Sequence, residues 1–416
     1  MNQRRILLAL FLIYFMFAIL LNSVGTVILQ VIHNYGVDKG AASVLEGFKD
    51  LPIAIVSFLV ASTLPRFGYK KAMLLALAIV AVATLAMPLV PGFATAKLLF
   101  LCVGVAFALA KVSVYSTIGL VARDRKQHAG ITNLLEGFFM VGVLSAYWIF
   151  GFFIDSDHPA STSWLNVYWL LSALCVATFL LVLSTSFDER GAAPPHSRGP
   201  AADFVEMLRL FARPLVCVFV LTAFLYVLVE QAVGTWLPTF NNEILKLPAA
   251  MSVQVTSIYA GCLAVGRLSA GFIMRRLNWY PVLSVCMLAM GATVLLALPL
   301  THGIAHDPNV TWATAPVAAF LFPFIGLFMA PIYPGINSVM LSSLPRHQHA
   351  PMTGLLVIFS ALGGTTGSLI TGYVFGHFNG HFAFYLTLVP ITLMLGSLYA
   401  FKRQVEKVIT EVAVTA

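Results

Sequence analysis

Charged side chains are scarce in this sequence. Lys and Arg number 24 and Asp and Glu 16 among 416 residues, 10% in all, against 60% hydrophobic. Soluble domains carry about 25% charged residues, so this chain cannot cover a water-facing surface, and a mean hydropathy of +0.92 agrees. Lipid must be the solvent for most of it. In hydrocarbon every backbone N–H and C=O needs an internal partner, which leaves helices or a closed barrel. The alternating segments of about ten residues that mark a barrel are missing. The apolar runs are instead about 20 residues long, enough for a helix to cross a hydrocarbon core of about 30 Å.

Other absences narrow the function. Cys102, Cys175, Cys217, Cys262 and Cys286 each lie in an apolar stretch. None has a CxxC mate or a His at ligand spacing, so they read as small core residues. There is no HExxH, P-loop or dinucleotide fingerprint and no nucleophile–base set. No enzyme, metal or cofactor is expected, and concentrative work must draw on an ion gradient. The net charge of +8 is spread in short basic clusters between apolar runs. That is the pattern of membrane orientation signals, with no basic domain for nucleic acid. After MNQRR the apolar run from Ile6 to Ile32 is too long for a signal-peptide core and reads as a retained first membrane helix.

The runs fall roughly at 5–33, 42–64, 72–90, 97–121, 129–154 and 165–185, then at 214–240, 250–274, 279–300, 313–343, 351–377 and 380–402. Between the sets, Ser186–Phe204 is polar and rich in Pro and Gly. The expectation is an all-α integral membrane protein of twelve helices: an N-terminal six-helix bundle over 1–185, a cytoplasmic linker over 186–206 and a C-terminal bundle over 207–416. Arg4, Arg5, Arg66, Lys70, Lys71, Arg123, Arg125, Lys126, Arg275, Arg276, Lys402 and Arg403 share one side. By the positive-inside rule both termini are then cytoplasmic, in the plasma membrane or a bacterial inner membrane. A monomer in the lipid bilayer is expected.

The halves are related. His128 through Gly151 aligns without gaps on His349 through Gly372. Thr132, Leu135, Phe138, Gly142 and Gly151 meet Thr353, Leu356, Phe359, Gly363 and Gly372, and Gln127 before the stretch meets Gln348. The fifth span therefore corresponds to the eleventh, and an even number of helices per half makes the repeat parallel. Gly142/Ala146 and Gly363/Gly367 have small-xxx-small spacing, which predicts close helix packing.

Arg66, Gly68 and Lys70 between the second and third spans, with Gly271, Arg275 and Arg276 in the equivalent loop of the second half, resemble the G-x-x-x-D-R-x-G-R-K pattern of the major facilitator superfamily. Pro65 stands where that pattern has Asp. Glu230-Gln231-Ala232-Val233-Gly234-Thr235-Trp236-Leu237-Pro238, Gly266-Arg267-Leu268 and Ala330-Pro331-Ile332-Tyr333-Pro334 are similar to the fucose–hexose–proton symporter group. The resemblance implies a two-bundle fold and secondary transport by alternating access. The fucose permease branch has an acid after an Asn in helix one and another in mid-helix four. Ser23 follows Asn22 here and Lys111 falls at the second place, so both acids of that branch are missing from these positions.

A charge at mid-bilayer costs roughly 2.5–3.5 kcal/mol on insertion scales, so each one invites a role. Lys111 is expected either to bind an anionic solute or to pair with a carboxylate on a neighbouring helix. Glu46, Lys49 and Asp50 in the second span suit a proton-titrating carboxylate beside a cation, or an internally neutralised gate. Glu136 has Val357 as its repeat mate and is a proton-coupling candidate, or a partner for Lys111. Glu230 precedes the break at Gly234–Pro238, a place where sites form. Asn22, Gln30, Tyr115, Gln231, Trp236, Tyr333 and Asn337 are neutral substrate-binding candidates, each equally suited to joining helices. Lys49, Arg66, Arg267 and Arg275 are gating candidates.

The reading is proton-coupled symport of a small polar solute: a sugar, a sugar acid or another organic anion. A proton-driven exporter of amphipathic compounds or lipid, and a membrane receptor that transports nothing, are the alternatives.

Overall fold

The computed structural model describes residues 3–415 apart from 62–63, 123, 188, 190–199, 275, 308 and 346–347. All secondary structure among these is helical. Among the described residues eleven helices are long and apolar enough to cross a membrane. The second expected span, Val44–Ala61, has 18 residues. It falls outside that set because Glu46, Lys49 and Asp50 all lie within it. Counting it gives the twelve-span, all-α arrangement that the apolar runs predict.

Several spans are interrupted, each for a local reason. The first breaks between Gln3–Asn22 and Val24–Tyr35. There Asn22 Nδ2 donates to the Ala18 carbonyl at 2.9 Å and Ser23 Oγ to the Leu20 carbonyl at 2.8 Å. Side chains thus take up carbonyls that water cannot reach. The seventh breaks between Pro214–Gly234 and Leu237–Glu243, where Pro238 has no N–H to give. The tenth, expected as one run, is divided into Val317–Leu321, a 3₁₀ turn at Phe322–Phe324, Ile325–Met329 and Ile332–Ser342. Pro323, Pro331 and Pro334 account for the divisions.

Contacts divide the chain into two units, Met1–Asp38 with Phe48–Pro200, and Lys39–Gly47 with Ala201–Ala416. In the first unit the first span packs on the fifth, Arg125–Phe153, and the third, Tyr69–Leu89, on the fourth, Phe93–Val121. In the second the seventh packs on the eleventh, His349–His377, and the eighth, Ala249–Ile273, on the tenth.

The repeat in sequence is also a repeat in packing. A Cβ on Gly142 would lie 2.7 Å from the Phe15 carbonyl oxygen and from Ala18 Cβ in the first span. Its mate Gly363 lies against the Phe224 backbone of the seventh, and Gly367 against that of Leu228. Only the missing side chains let these backbones approach so closely. Ser43, at the start of the second span, sits with the second unit, its carbonyl accepting from Ser368 Oγ at 3.3 Å. In the same unit Lys39 pairs with Glu243 at 3.0 Å.

Gly68 opens the third span at φ +100°, backbone that favours glycine. The Glu189 carboxylate accepts from the N–H groups of Lys70 at 2.6 Å and Tyr69 at 3.2 Å. In return Lys70 Nζ donates to the carbonyls of Leu183 at 2.9 Å and Thr185 at 2.8 Å, at the end of the sixth span, Val167–Ser184. An anion caps one helix start and a cation one helix end, both in the sense the helix dipole favours.

Candidate functional site

Lys111 lies about two-thirds of the way along Phe93–Val121. Phe107, Lys111 and Tyr115 recur every four residues, which places them on one face. The Lys111 ammonium sits 5.8 Å above the Phe107 ring, within cation–π range. Despite its mid-span position Lys111 is not covered by neighbouring side chains, and among the described residues no carboxylate lies within 4.0 Å of its Nζ.

Glu136 reaches this face from the fifth span. It is exposed, accepts a hydrogen bond from the Tyr115 hydroxyl and is the charged neighbour that acts electrostatically on Lys111. The first span contributes Tyr14. Its ring meets Tyr115 edge-on at 5.9 Å and Phe139 at 5.8 Å, with Phe107 at 6.2 Å. The Tyr14 hydroxyl is buried close to Tyr115 and Glu136. The first unit thus presents one cation, one anion held by a phenol, and a wall of rings.

The second unit is arranged differently. Glu230 accepts from the Tyr226 hydroxyl at 3.1 Å and pairs with Arg267 at 3.5 Å. Tyr259 donates to the Glu230 carbonyl at 3.4 Å. Tyr333 shares a 3.0 Å hydrogen bond with Ser360, its ring 5.3 Å from that of Tyr226. Asn337 lies one turn beyond Tyr333, partly exposed. Here the anion and the cation satisfy one another.

Glu46 is wholly buried in this unit and accepts from Thr235 Oγ1 at 2.9 Å; the same hydroxyl lies 3.3 Å from Gln231 Oε1. Trp236 is wholly buried too, its indole N–H directed at Ser368 O and Oγ at 3.1 and 3.2 Å. It therefore offers a solute no surface in this structure. In the first unit Lys49 lies 3.4 Å from Asp50.

Asn22 closes the break in the first span, and Gln30 is buried, its Nε2 without a hydrogen-bond partner among the described residues. Arg66 is exposed, while its neighbour Lys70 makes the contacts to the sixth span. Arg267 was expected at a gate near a helix end; its contact with Glu230 draws it towards the middle of the seventh span. Arg275 lies outside the described residues.

Sequence reasoning passed over Tyr14, Phe107, Phe139, Tyr226 and Glu189. The four-residue spacings of Phe107, Lys111 and Tyr115, and of Tyr226 and Glu230, are visible in the sequence and were the available signal. Nothing local marks Tyr14 or Glu189, whose contacts come from distant segments.

A model of the Major Facilitator Superfamily matches residues 7–350. The chain belongs to this superfamily. It is similar to the MFS transporter asaE of Aspergillus flavus, 25% identical over 226 residues, 53% of this chain and 47% of that protein. The chain thus spans about half the length of this curated relative. Among solved structures, a bacterial homologue of the human lysosomal transporter Spinster, inward-facing and unoccupied, superposes with a TM-score of 0.74 at 17% identity, over 98% of each chain. The fucose:proton symporter of E. coli superposes at 0.60 and 17%, over 96% of this chain and 98% of that one. At these identities the likeness is one of fold. The fucose–hexose resemblance read from the motifs thus falls inside the fold this chain adopts. As a superfamily member the protein is integral to a membrane.

Proposed function

We propose that the protein is a secondary active symporter, working by alternating access as a single chain, that takes up a small polar anion together with a proton. The carrying observation is Lys111, exposed in mid-span with no carboxylate within 4.0 Å among the described residues, beside a Glu136 that Tyr115 already holds. At an effective dielectric of 20, the value for charges near a protein surface, two unit charges 4 Å apart gain about 4 kcal/mol.

Charge balance supplies the coupling. In the empty site, Lys111 as a cation and Glu136 as an anion sum to zero. A monovalent anion on Lys111 breaks that neutrality unless Glu136 takes up a proton. The loaded site then holds ammonium, solute anion and neutral carboxyl, again zero in all. Both forms that must pass through a closed state are thus neutral, while a solute without a proton, or a proton without a solute, leaves a net charge to bury.

In the second half Glu230 and Arg267 neutralise one another and have a structural and gating role. Glu46, Lys49 and Asp50 hold the start of the second span. The basic loops lie on the cytoplasmic side, in the plasma membrane or a bacterial inner membrane. The proton-coupled chemistry named for the fucose symporter agrees with this reading.

Proteoliposomes test it. An inward proton gradient should drive accumulation of an organic anion, and Lys111→Ala should abolish that uptake. Uptake unchanged by Lys111→Ala, or indifferent to the gradient, would overturn the mechanism.

A further inference from the structure

The side chains around Lys111 specify the solute more closely than its charge alone, on the reading above that Lys111 is the solute's anchor. A hexose or a sugar acid carries a ring of hydroxyls, and a site selects it by supplying a polar partner for each. The face of the first half has few to supply. Its one carboxylate, Glu136, already accepts from Tyr115. Phe107 and Tyr115 lie one turn to either side of Lys111, and Ala110 and Val112 flank it along the chain.

What the face does supply is aromatic surface around one cation. Tyr14, Phe107, Tyr115 and Phe139 form a continuous cluster, with ring centroids 5.8 to 6.4 Å apart in the pairs Tyr14–Tyr115, Tyr14–Phe139, Tyr14–Phe107 and Phe107–Phe139. Phe138, the preceding residue on the helix, stacks separately on Phe11 at 5.0 Å and 4°. The tilted and edge-on angles match the geometry that aromatic rings prefer with one another.

We propose that this face selects a planar aromatic monocarboxylate, its carboxylate on Lys111 and its ring against the partly exposed Tyr115 and Phe139. One charge on the solute matches the one ammonium. A dicarboxylate would bring a second charge with no cation here to meet it, and a neutral solute would leave Lys111 unanswered.

Ligand-induced thermal stabilisation of the purified full chain is the test, with benzoate, cyclohexanecarboxylate, benzamide, gluconate and glucose as probes. Benzoate should stabilise most, cyclohexanecarboxylate less, and the other three not at all. Lys111→Gln should weaken benzoate at least about tenfold, the scale of one charge-assisted bond, and Lys111→Arg should retain it. Phe139→Leu should weaken benzoate several-fold while leaving cyclohexanecarboxylate unchanged, which general damage to the fold would not do. Stabilisation by gluconate or glucose equal to that by benzoate, benzamide equal to benzoate, or no response to any aromatic acid would overturn the proposal. Uptake separates this from the transport reading. Benzoate bound but not carried under a proton gradient would sink the symport mechanism and leave the ligand class standing. Gluconate carried in a proton-dependent, Lys111-dependent manner would do the reverse.

Discussion

Glu136 and Val357 occupy the same position of the internal repeat, and only the first of them can hold a proton. Removing its charge separates binding from coupling. Glu136→Gln keeps a polar partner for Tyr115 and should preserve solute exchange across the membrane. Accumulation driven by a proton gradient should disappear, together with the pH dependence of uptake; a retained pH profile would move the proton to another carboxylate. Asp155, beyond the fifth span, gives a second test at this scale. Backbone N–H donation from His158, helped by the His158 ring and the Asp157 N–H, holds its carboxyl below the usual carboxylate range. A depressed folded value means that the turn is supported above the ordinary Asp range and loses support as pH falls through the lowered value. The protection of the His158 amide, its exchange rate relative to that of an unprotected peptide at the same pH, should therefore hold at neutral pH and be lost in acid, and Asp155→Ala should remove it throughout. At this scale the sequence was informative about charge: a Lys or Glu inside an apolar run announces itself. It was nearly silent about rings, because Tyr14 and Phe139 look like any other aromatic residue of a membrane helix until the fold brings them beside Lys111.

Helix contacts explain which small residues matter. Gly142 and Gly137 lie in the same span, yet a Cβ on Gly137 would meet nothing within 4 Å, whereas one on Gly142 would press on Phe15 and Ala18. Gly142→Ala should lower thermal stability by about 1–3 kcal/mol, the usual cost of overpacking, and Gly137→Ala should be neutral. Equal effects at both sites would remove the packing explanation. The exchange of caps between the third and sixth spans makes a similar contrast. Lys70→Met and Glu189→Gln should each cost about 1 kcal/mol, since bonds to charged groups in partly exposed places are screened. Arg66→Ala, at an exposed residue, should cost much less in the same melting measurement. The loop motif drew attention to Arg66, but the structural work falls to Lys70, and its partners sit more than a hundred residues away. Helix breaks were only partly legible. Gly234–Pro238 was visible because Gly and Pro stand together, while the subdivision of the tenth span had to await the backbone itself.

On the scale of the whole molecule, apolar runs and loop charges carried the fold. The second span carries Glu46, Lys49 and Asp50, more charge than a purely apolar helix bears, and was legible all the same as the run at 42–64. The repeat, read from matched glycines and loop glutamines, reappears as matched packing of the first span on the fifth and the seventh on the eleventh. Symmetry of packing did not bring symmetry of chemistry. The first half carries an ammonium with no carboxylate within 4.0 Å among the described residues, and the second a closed Glu230–Arg267 pair.

That difference determines which force can drive the protein. If one proton accompanies one monovalent anion past Lys111 and Glu136, a full turnover moves no net charge across the bilayer. An imposed potassium diffusion potential should leave the uptake rate where it was, while a pH difference alone should set both the direction and the limit of accumulation. Cells would then draw on this carrier through acidity and not through voltage.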